Sequence, residues 1–265
     1  MSAAPTFASR TMSGAALAMA AWAAFSLQDA IVKYLVVDLP VPEVLFARSL
    51  VIVAIASLLA RRADFAAIAV PRHGATIVLR SLVIFIAWLA YYRASRSLQL
   101  AEMVTFYFAA PLFVVAMSGP LLREAVGAGR WLTTILGFGG VLIAADPSGA
   151  VDLNPALLAL LAALCWAITT LLARSMTKGI STPTMMVGSN LTFVVACGAL
   201  APTLFVWPSA RSFALMAALG GVGGLGQYLW FEGVRRAQAS LLAPLEYTML
   251  AYANFWGWLI FGDLT

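Results

Sequence analysis

Charges and turn residues divide the sequence into roughly nine apolar runs of about 17 to 25 residues, the length that a helix needs to cross the hydrocarbon core of a bilayer. A strand of a membrane barrel would need only about 10 residues, with a strict alternation of apolar and polar positions that these runs lack. The runs therefore predict an all-α integral membrane protein. Their approximate bounds are 14–36, 42–60, 74–94, 98–122, 129–145, 155–176, 183–206, 211–234 and 239–262.

The composition is that of a chain whose outer surface meets membrane lipid. Of its residues, 63% are hydrophobic and 10% are charged, whereas a soluble domain carries about 25% charged residues. The net charge of +5 comes from basic residues that stand singly or in pairs, mostly near the ends of the apolar runs. We therefore expect no nucleic-acid binding.

Residues that could build a catalytic or metal centre are scarce. The only histidine, His73, lies beside Arg72 and has no plausible catalytic partner. Cys165 and Cys197 stand inside apolar runs, outside any CxxC or His/Cys cluster. We therefore expect a protein that is not an enzyme, with no bound metal and no cofactor, and with both cysteines in the core.

Basic residues are unequally divided between the two sides of the predicted bundle. A cytoplasmic amino terminus leaves Arg93, Arg96 and Arg211 outside, and cytoplasmic loops normally hold the excess of Lys and Arg. The pattern therefore predicts that the amino terminus is cytoplasmic. The inner side would then hold Arg10, Arg61, Arg62, Arg72, Arg123, Arg130, Arg174, Lys178, Arg235 and Arg236, and the outer side would also hold Asp38, Glu43, Asp146 and Asp152.

The two halves of the chain resemble each other in the order of their runs. A tryptophan stands in the middle of the first and the sixth, at Trp22 and Trp166, and an acidic residue stands near the end of the fourth and the ninth. A unit of five helices forces the next unit to insert upside down, so we expect two inverted five-helix repeats, over residues 1–150 and 151–265. Inverted repeats are typical of transporters, because the halves can rock around a binding site near mid-membrane.

Three stretches carry a family resemblance: residues 101–113 (AEMVTFYFAAPLF) followed by Arg123 and Glu124, residues 137–143 (GFGGVLI), and residues 242–247 (LAPLEY). They resemble the fourth, fifth and ninth helices of the drug/metabolite transporter superfamily, EamA type. The resemblance implies ten helices in two inverted repeats, both termini in the cytoplasm, and a place in the bacterial inner membrane. It also implies export of amino acids or related metabolites. With Tyr91, Tyr92 and Tyr107, the chain is most similar to the bacterial aromatic amino acid exporters.

One departure from the family pattern concerns the carboxyl end. The family continues past the acidic residue at Asp263 into a tenth helix, whereas this sequence stops at Thr265. We therefore expect about nine helices here and a full protein that is longer.

Seven ionisable residues fall within the predicted spans, where each costs about 2.5 to 3.5 kcal/mol on insertion scales. Arg80 and Glu246 lie at similar depths and could pair, and Asp29 and Arg48 could form a second cluster with Glu102. Structural alternatives remain open for each of them, such as a pair along one helix or snorkelling to the headgroups. Glu246 is the strongest functional candidate, because Pro244 loosens the helix beside it. The seven are Asp29, Lys33, Arg48, Arg80, Glu102, Glu232 and Glu246.

Aromatic residues divide by depth. Trp131, Trp207 and Trp258 lie near helix ends, as expected of an interfacial belt. Others lie nearer helix centres, where they either pack in the core or line a cavity for an apolar or aromatic solute. Neutral polar residues add hydrogen-bond partners, a combination that suits a net-neutral zwitterion. The predicted binding residues are Trp22, Gln28, Trp88, Tyr91, Tyr107, Trp166, Gln227 and Glu246.

The eighth run is rich in glycine. Gly220 and Gly224 form a small-xxx-small face. The face indicates either tight static packing or a point at which the helix bends, and the two readings are compatible.

These observations favour a secondary transporter that exports hydrophobic or aromatic amino acids by alternating access. A carrier of cationic drugs or of other small metabolites is the alternative, because Glu246 and the rings could hold a cation. The sequence leaves the coupling ion open between proton exchange and facilitated diffusion.

Overall fold

The computed structural model describes residues 7–60, 70–94, 98, 105–145, 152–177 and 179–261. In these ranges the chain forms helices and the turns that join them, which confirms the predicted all-α class. The helices are α1 (Phe7–Leu35), α2 (Val41–Leu59), α3 (Pro71–Ala94), α4 (Ala110–Leu122), α5 (Ala128–Ala145), α6 (Leu153–Met176), α7 (Thr182–Leu204), α8 (Ala210–Arg236), α9 (Ala239–Leu242) and α10 (Thr248–Phe261).

Helix lengths match the thickness of a bilayer. Within the described ranges, seven helical stretches are long and apolar enough to cross a membrane, and α5 contributes a shorter apolar helix. The predicted runs correspond to α1 through α8, although α1 and α3 begin several residues earlier than expected. Pro71 opens α3 because the first turn of a helix has no use for the N–H group that proline lacks.

Two of the predicted runs are interrupted helices. In the ninth run, α9 ends after four residues and passes through a 3₁₀ turn, Ala243–Tyr247, before α10 begins. In the fourth run, Phe108 and Ala109 form a turn just before α4. Pro244 lies in the first interruption and Pro111 directly after the second. Proline cannot donate the hydrogen bond that would continue the helix, which accounts for an interruption at each of these places.

Contacts between helices keep the same pattern when the two halves are exchanged. The pair α1 and α8 corresponds to the pair α6 and α3, and both pairs are in close contact. Contacts of α4 with α6 correspond to those of α10 with α1, and α2 packs on its own counterpart α7. The helix order that suggested a repeat in the sequence is thus also an order of contacts in space.

Polar side chains are buried inside the bundle among apolar ones, and large apolar side chains cover its outer surface. Ser49, Ser81 and Thr169 are fully buried, whereas Leu58 and Ile143 are more than four-fifths exposed. Lipid favours this arrangement because it offers polar groups no hydrogen-bond partner. The three tryptophans assigned to the belt, Trp131, Trp207 and Trp258, are all exposed, in agreement with that assignment.

Glycines of α8 face neighbouring helices at very short range. A Cβ atom at Gly220 would lie 2.4 Å from Val51 Cβ of α2, and one at Gly226 would lie 2.9 Å from the Phe25 ring of α1. By contrast, a Cβ at Gly221 would meet nothing within 4 Å. Since α8 runs without a break through all of these positions, the face serves close packing in this conformation.

We predict that Gly220→Ala destabilises the protein relative to Gly221→Ala. Both variants gain the roughly 1 kcal/mol of helix propensity that alanine has over glycine, but only the first forces Val51 away, at a cost of about 1–3 kcal/mol. Thermal unfolding can be followed with a thiol-reactive dye, because the free cysteines Cys165 and Cys197 are buried until the bundle opens. Equal melting temperatures for the two variants would contradict the packing described above.

Candidate functional site

A cavity of about 440 Å³ lies in the middle of the bundle, between helices of both halves. Of the eight side chains that the sequence predicted to bind solute, seven line it, and Glu246 lies just outside. The seven are Trp22, Gln28, Trp88, Tyr91, Tyr107, Trp166 and Gln227.

Three tryptophans form one side of the cavity, which we call the aromatic floor: Trp22, Trp166 and Trp230. The Trp166 ring lies 6.1 Å from that of Trp22, at an interplanar angle of 61°, and 5.8 Å from that of Trp230, at 39°. Spacings of 4.5–7 Å with tilted or edge-on planes are the favourable geometries for aromatic pairs. The floor therefore holds its shape through ring contacts, with Trp166 at its centre.

A second group of rings stands where α3 ends and α4 begins. The centroids of Tyr91 and Tyr107 are 5.3 Å apart, and those of Tyr107 and Phe108 are 6.1 Å apart. Tyr107 and Phe108 line the cavity, and the turn before α4 begins at the second of them. The interruption that the sequence did not predict thus positions Tyr107, a predicted site residue, and Phe108, which was not predicted.

A polar group lies at the cavity near the end of the bundle where α1 and α3 end. The Arg48 Nε donates to Gln28 Oε1 over 3.0 Å, and the Asp29 side chain is exposed to the cavity beside them. A Cβ atom at Gly223 would lie 2.5 Å from Gln28 Oε1 and 3.0 Å from Arg48 Nε. The glycine of α8 therefore leaves the space that this pair occupies. Glu102, predicted to join the cluster, lies outside the described residues.

Arg80 does not pair with Glu246, so that prediction was wrong. Its Nε donates to the Thr169 carbonyl oxygen over 3.2 Å, and its Nη1 donates to Ser189 Oγ over 2.8 Å. The guanidinium also lies over the Phe231 ring, 5.0 Å from its centroid. Similar depth in the membrane was a poor guide, because helix rotation decides which side chains face each other. Neutral acceptors and rings hold this buried charge instead.

Glu246 lies behind the aromatic floor. The 3₁₀ turn between α9 and α10 places it there, 2% exposed, and Trp166 Nε1 donates to its Oε2 over 3.3 Å. The carboxyl group therefore touches a ring of the cavity without lining the cavity itself. A role in direct solute binding stays a prediction.

Sequence reasoning missed several residues of the cavity, above all Trp230. It lies three residues after Gln227 on α8, so the helical period could have placed both on one face. Gln227 in turn accepts a hydrogen bond of 2.7 Å from Asn190 Nδ2 of α7. The other missed ring residues, Phe25, Phe108 and Phe193, carry no signal in the sequence that separates them from core phenylalanines.

The opposite end of the bundle, which we call the closed end, is where α1 begins and α4, α6 and α8 end. Glu124, just after α4, accepts hydrogen bonds from the backbone N–H groups of Ala239 and Ser240, each over 3.2 Å. Its carboxylate also lies 3.4 Å from Arg174 Nε at the end of α6. Arg174 donates in turn to the Val234 carbonyl oxygen of α8 over 2.5 Å. One carboxylate thus joins the ends of three helices and the start of α9.

Further polar contacts extend the closed end to α5 and α7. Arg235 donates to the carbonyl oxygens of Thr177 and Ile180, over 2.6 and 2.8 Å. Arg130 of α5 donates to Ser240 Oγ over 2.6 Å and also to Gln238 Oε1. The cavity is therefore separated from this side of the membrane by a layer of charge-assisted hydrogen bonds, which are stronger than neutral ones.

We predict that Glu124→Gln loosens the closed end. Hydrogen bonds to charged groups contribute about 1.5–3 kcal/mol each, so losing the charge would raise the population of opened molecules about tenfold or more. The readout is the rate at which a water-soluble maleimide modifies Ala243→Cys, a buried position beside α9, with Cys165 and Cys197 replaced by alanine. Glu43→Gln, at the other end of the bundle, is the matched control. Similar labelling rates in both variants would refute the role of Glu124.

The sequence is similar to a known protein family and to several characterised proteins. Residues 12–145 and 153–264 match the model of the EamA-like transporter family. A riboflavin transporter of Rhizobium johnstonii is 28% identical over 96% of this chain and 85% of its own length, and a pseudopaline exporter of Pseudomonas aeruginosa is 26% identical over 95% and 89%. A riboflavin transporter of Vibrio cholerae is 33% identical over 57% of this chain, and that match spans about half, 51%, of the relative's own length.

The crystal structure of another protein shares the fold of this chain. Its TM-score is 0.78 at 19% sequence identity, and the match covers 97% of this chain and 90% of that chain. The two family matches fall on either side of the segment between α5 and α6 and together take in the helices that surround the cavity. This multi-pass membrane protein therefore belongs to the EamA-like transporter family.

Proposed function

We propose that the chain is a secondary transporter that exports a small net-neutral solute, most simply an aromatic amino acid, through the central cavity by alternating access. The observation that carries the proposal is the composition of the cavity wall. It combines the aromatic floor with fixed charges of both signs, Asp29, Arg48 and Arg80. A zwitterion with an aromatic side chain presents the complementary groups.

Charge placement suggests how such a solute would bind. A carboxylate can accept from the Arg48 guanidinium while the neighbouring ammonium group faces Asp29. The solute's ring would then lie on the floor, where ring contacts contribute about 0.5–1.5 kcal/mol each beyond area burial. The cavity volume of about 440 Å³ falls in the range of about 300–1,000 Å³ typical of small-molecule sites.

Alternating access follows from a two-unit architecture, which we propose for residues 1–150 and 151–265, with the second unit inverted. The exchange symmetry of the helix contacts and the two separate family matches support it. If the amino terminus is cytoplasmic, as the basic loops predict, the closed end faces the cytoplasm. The solute would then leave the cavity toward the outer side when the closed end is sealed.

A flat heteroaromatic solute is the second candidate. Two of the relatives are riboflavin transporters, and the aromatic floor would also suit a planar ring system of that kind. The cationic solutes that the sequence left open fit less well, because Arg48 and Arg80 both line the cavity and would repel them.

We predict that Trp88→Ala weakens the transport of aromatic amino acids. Loss of one ring contact raises the half-saturation concentration about 2- to 10-fold. The assay measures uptake of a panel of amino acids into proteoliposomes that contain the full chain. Trp207→Ala, whose ring is 88% exposed, is the matched control and should leave uptake unchanged.

Competition assays in the same vesicles separate the candidates. Riboflavin that competes with tryptophan would favour the flat heteroaromatic candidate, and an organic cation should not compete. Vesicles that take up no amino acid at all would exclude the principal proposal.

A further inference from the structure

A second, much smaller void of about 10 Å³ lies between the aromatic floor and the closed end. Trp22 and Trp230 separate it from the cavity, since both residues line both spaces. Its volume is close to the roughly 10–15 Å³ that a cavity needs to hold one water molecule. Apolar residues make up most of the remaining wall, among them Val114 and Val234.

Three buried polar atoms belong to residues that line this void and have no hydrogen-bond partner among the described residues: Glu246 Oε1, Thr170 Oγ1 and Trp22 Nε1. Their residues are 2%, 7% and 5% exposed. An unsatisfied buried polar atom costs about 1–3 kcal/mol, so three of them around one water-sized space point to a ligand. The carboxylate needs a donor, the indole N–H needs an acceptor, and the hydroxyl can be either.

The chemistry of these groups favours water and a proton over a metal ion. Hard cations such as Ca²⁺ take about 6 to 8 oxygen ligands, whereas this void offers one carboxylate and one hydroxyl. The indole N–H of Trp22 presents a hydrogen, which repels a cation. A water molecule can instead accept from Trp22 and donate to Glu246, and it can carry a proton to the carboxylate.

Glu246 is also connected to the cavity through its other oxygen. Oε2 accepts from Trp166 Nε1, and the Trp166 ring is the central ring of the floor. A solute that stacks on the floor and turns this ring withdraws the only hydrogen bond that Glu246 receives in the described part of the chain. The buried carboxylate is then left without a donor from the described part of the protein, and taking up a proton relieves that cost.

We propose that Glu246 is a proton-binding site, reached through a water held by Trp22 and Thr170, and that its protonation is coupled to occupancy of the cavity through Trp166. A hydronium ion in the void gives its proton to Oε1, which leaves one water molecule and a neutral carboxyl group. When the Trp166 N–H returns, the carboxylate is stabilised again and the proton returns to the water. Because such coupling is reciprocal, protonation also favours the occupied cavity.

Few other titratable groups act on this carboxyl. From the elements packed against it, Tyr107 and its chain neighbour Tyr247 are close enough to interact with its charge. The remaining residues around the void, on α1, α4, α6, α8 and α9, do not titrate. Arg80 is held by Thr169 and Ser189. A pH-dependent change at this site is therefore attributable to Glu246.

The first test needs no solute. Infrared difference spectra of the full chain in lipid nanodiscs, recorded across a pH titration, should show the C=O band of a protonated carboxyl that disappears in Glu246→Gln. Glu43→Gln, a buried glutamate at the other end of the bundle, should keep the band. Trp166→Phe removes the N–H donor but keeps a ring, so the carboxylate loses stabilisation and the midpoint should move to higher pH. A band that survives in Glu246→Gln, or an unmoved midpoint in folded Trp166→Phe, would overturn the proposal.

The second test uses tryptophan as the transported probe and rests on the proposed function. An imposed pH gradient, acidic on the outside of the vesicles, should accelerate uptake by wild-type proteoliposomes at least several-fold. Glu246→Gln should lose that acceleration while it still exchanges internal for external tryptophan. Acceleration that persists in Glu246→Gln overturns the coupling. If tryptophan is not transported under any condition, the solute assignment fails, and the infrared titration decides the proton site by itself.

Discussion

Lipid offers no hydrogen-bond partner, and most of this structure is a response to that constraint. Each polar group within the apolar spans has to find its partner inside the bundle or among the ends of the helices. Arg80 is held by Thr169, Ser189 and an aromatic ring, and Asn190 donates to Gln227. The exceptions are therefore informative. Among the described residues, three of the buried polar atoms without a partner, those of Glu246, Thr170 and Trp22, belong to residues around one void.

Two interrupted helices give the cavity its shape. Proline stands at both interruptions, Pro111 beside the turn that presents Tyr107 and Phe108, and Pro244 in the 3₁₀ turn that places Glu246 behind the floor. A regular helix would satisfy its own backbone and turn each side chain by a fixed angle. Breaking it allows one interruption to present Tyr107 and Phe108 to the cavity and the other to place Glu246 behind the floor.

The candidate site could be predicted from the sequence to the extent that residue type alone decides location. Trp22, Trp88 and Trp166 were assigned to a cavity because tryptophan near mid-membrane has no interfacial role, and all three line it. The Arg80–Glu246 pair failed because depth along the membrane normal says nothing of rotation about the helix axis. Trp230 was missed for a related reason, since its position on α8 became meaningful only beside Gln227 and Trp166.

By itself, the sequence determined the membrane setting, the number and order of the apolar helices and the family, because these depend on the length and composition of continuous segments. Only the tertiary structure decided which rings face the cavity, that Arg80 and Glu246 stay apart, and that Glu124 joins the helix ends at the closed end. These features depend on how helices rotate and on where prolines interrupt them. Contacts between residues more than 100 positions apart fix those rotations, and no local pattern encodes them.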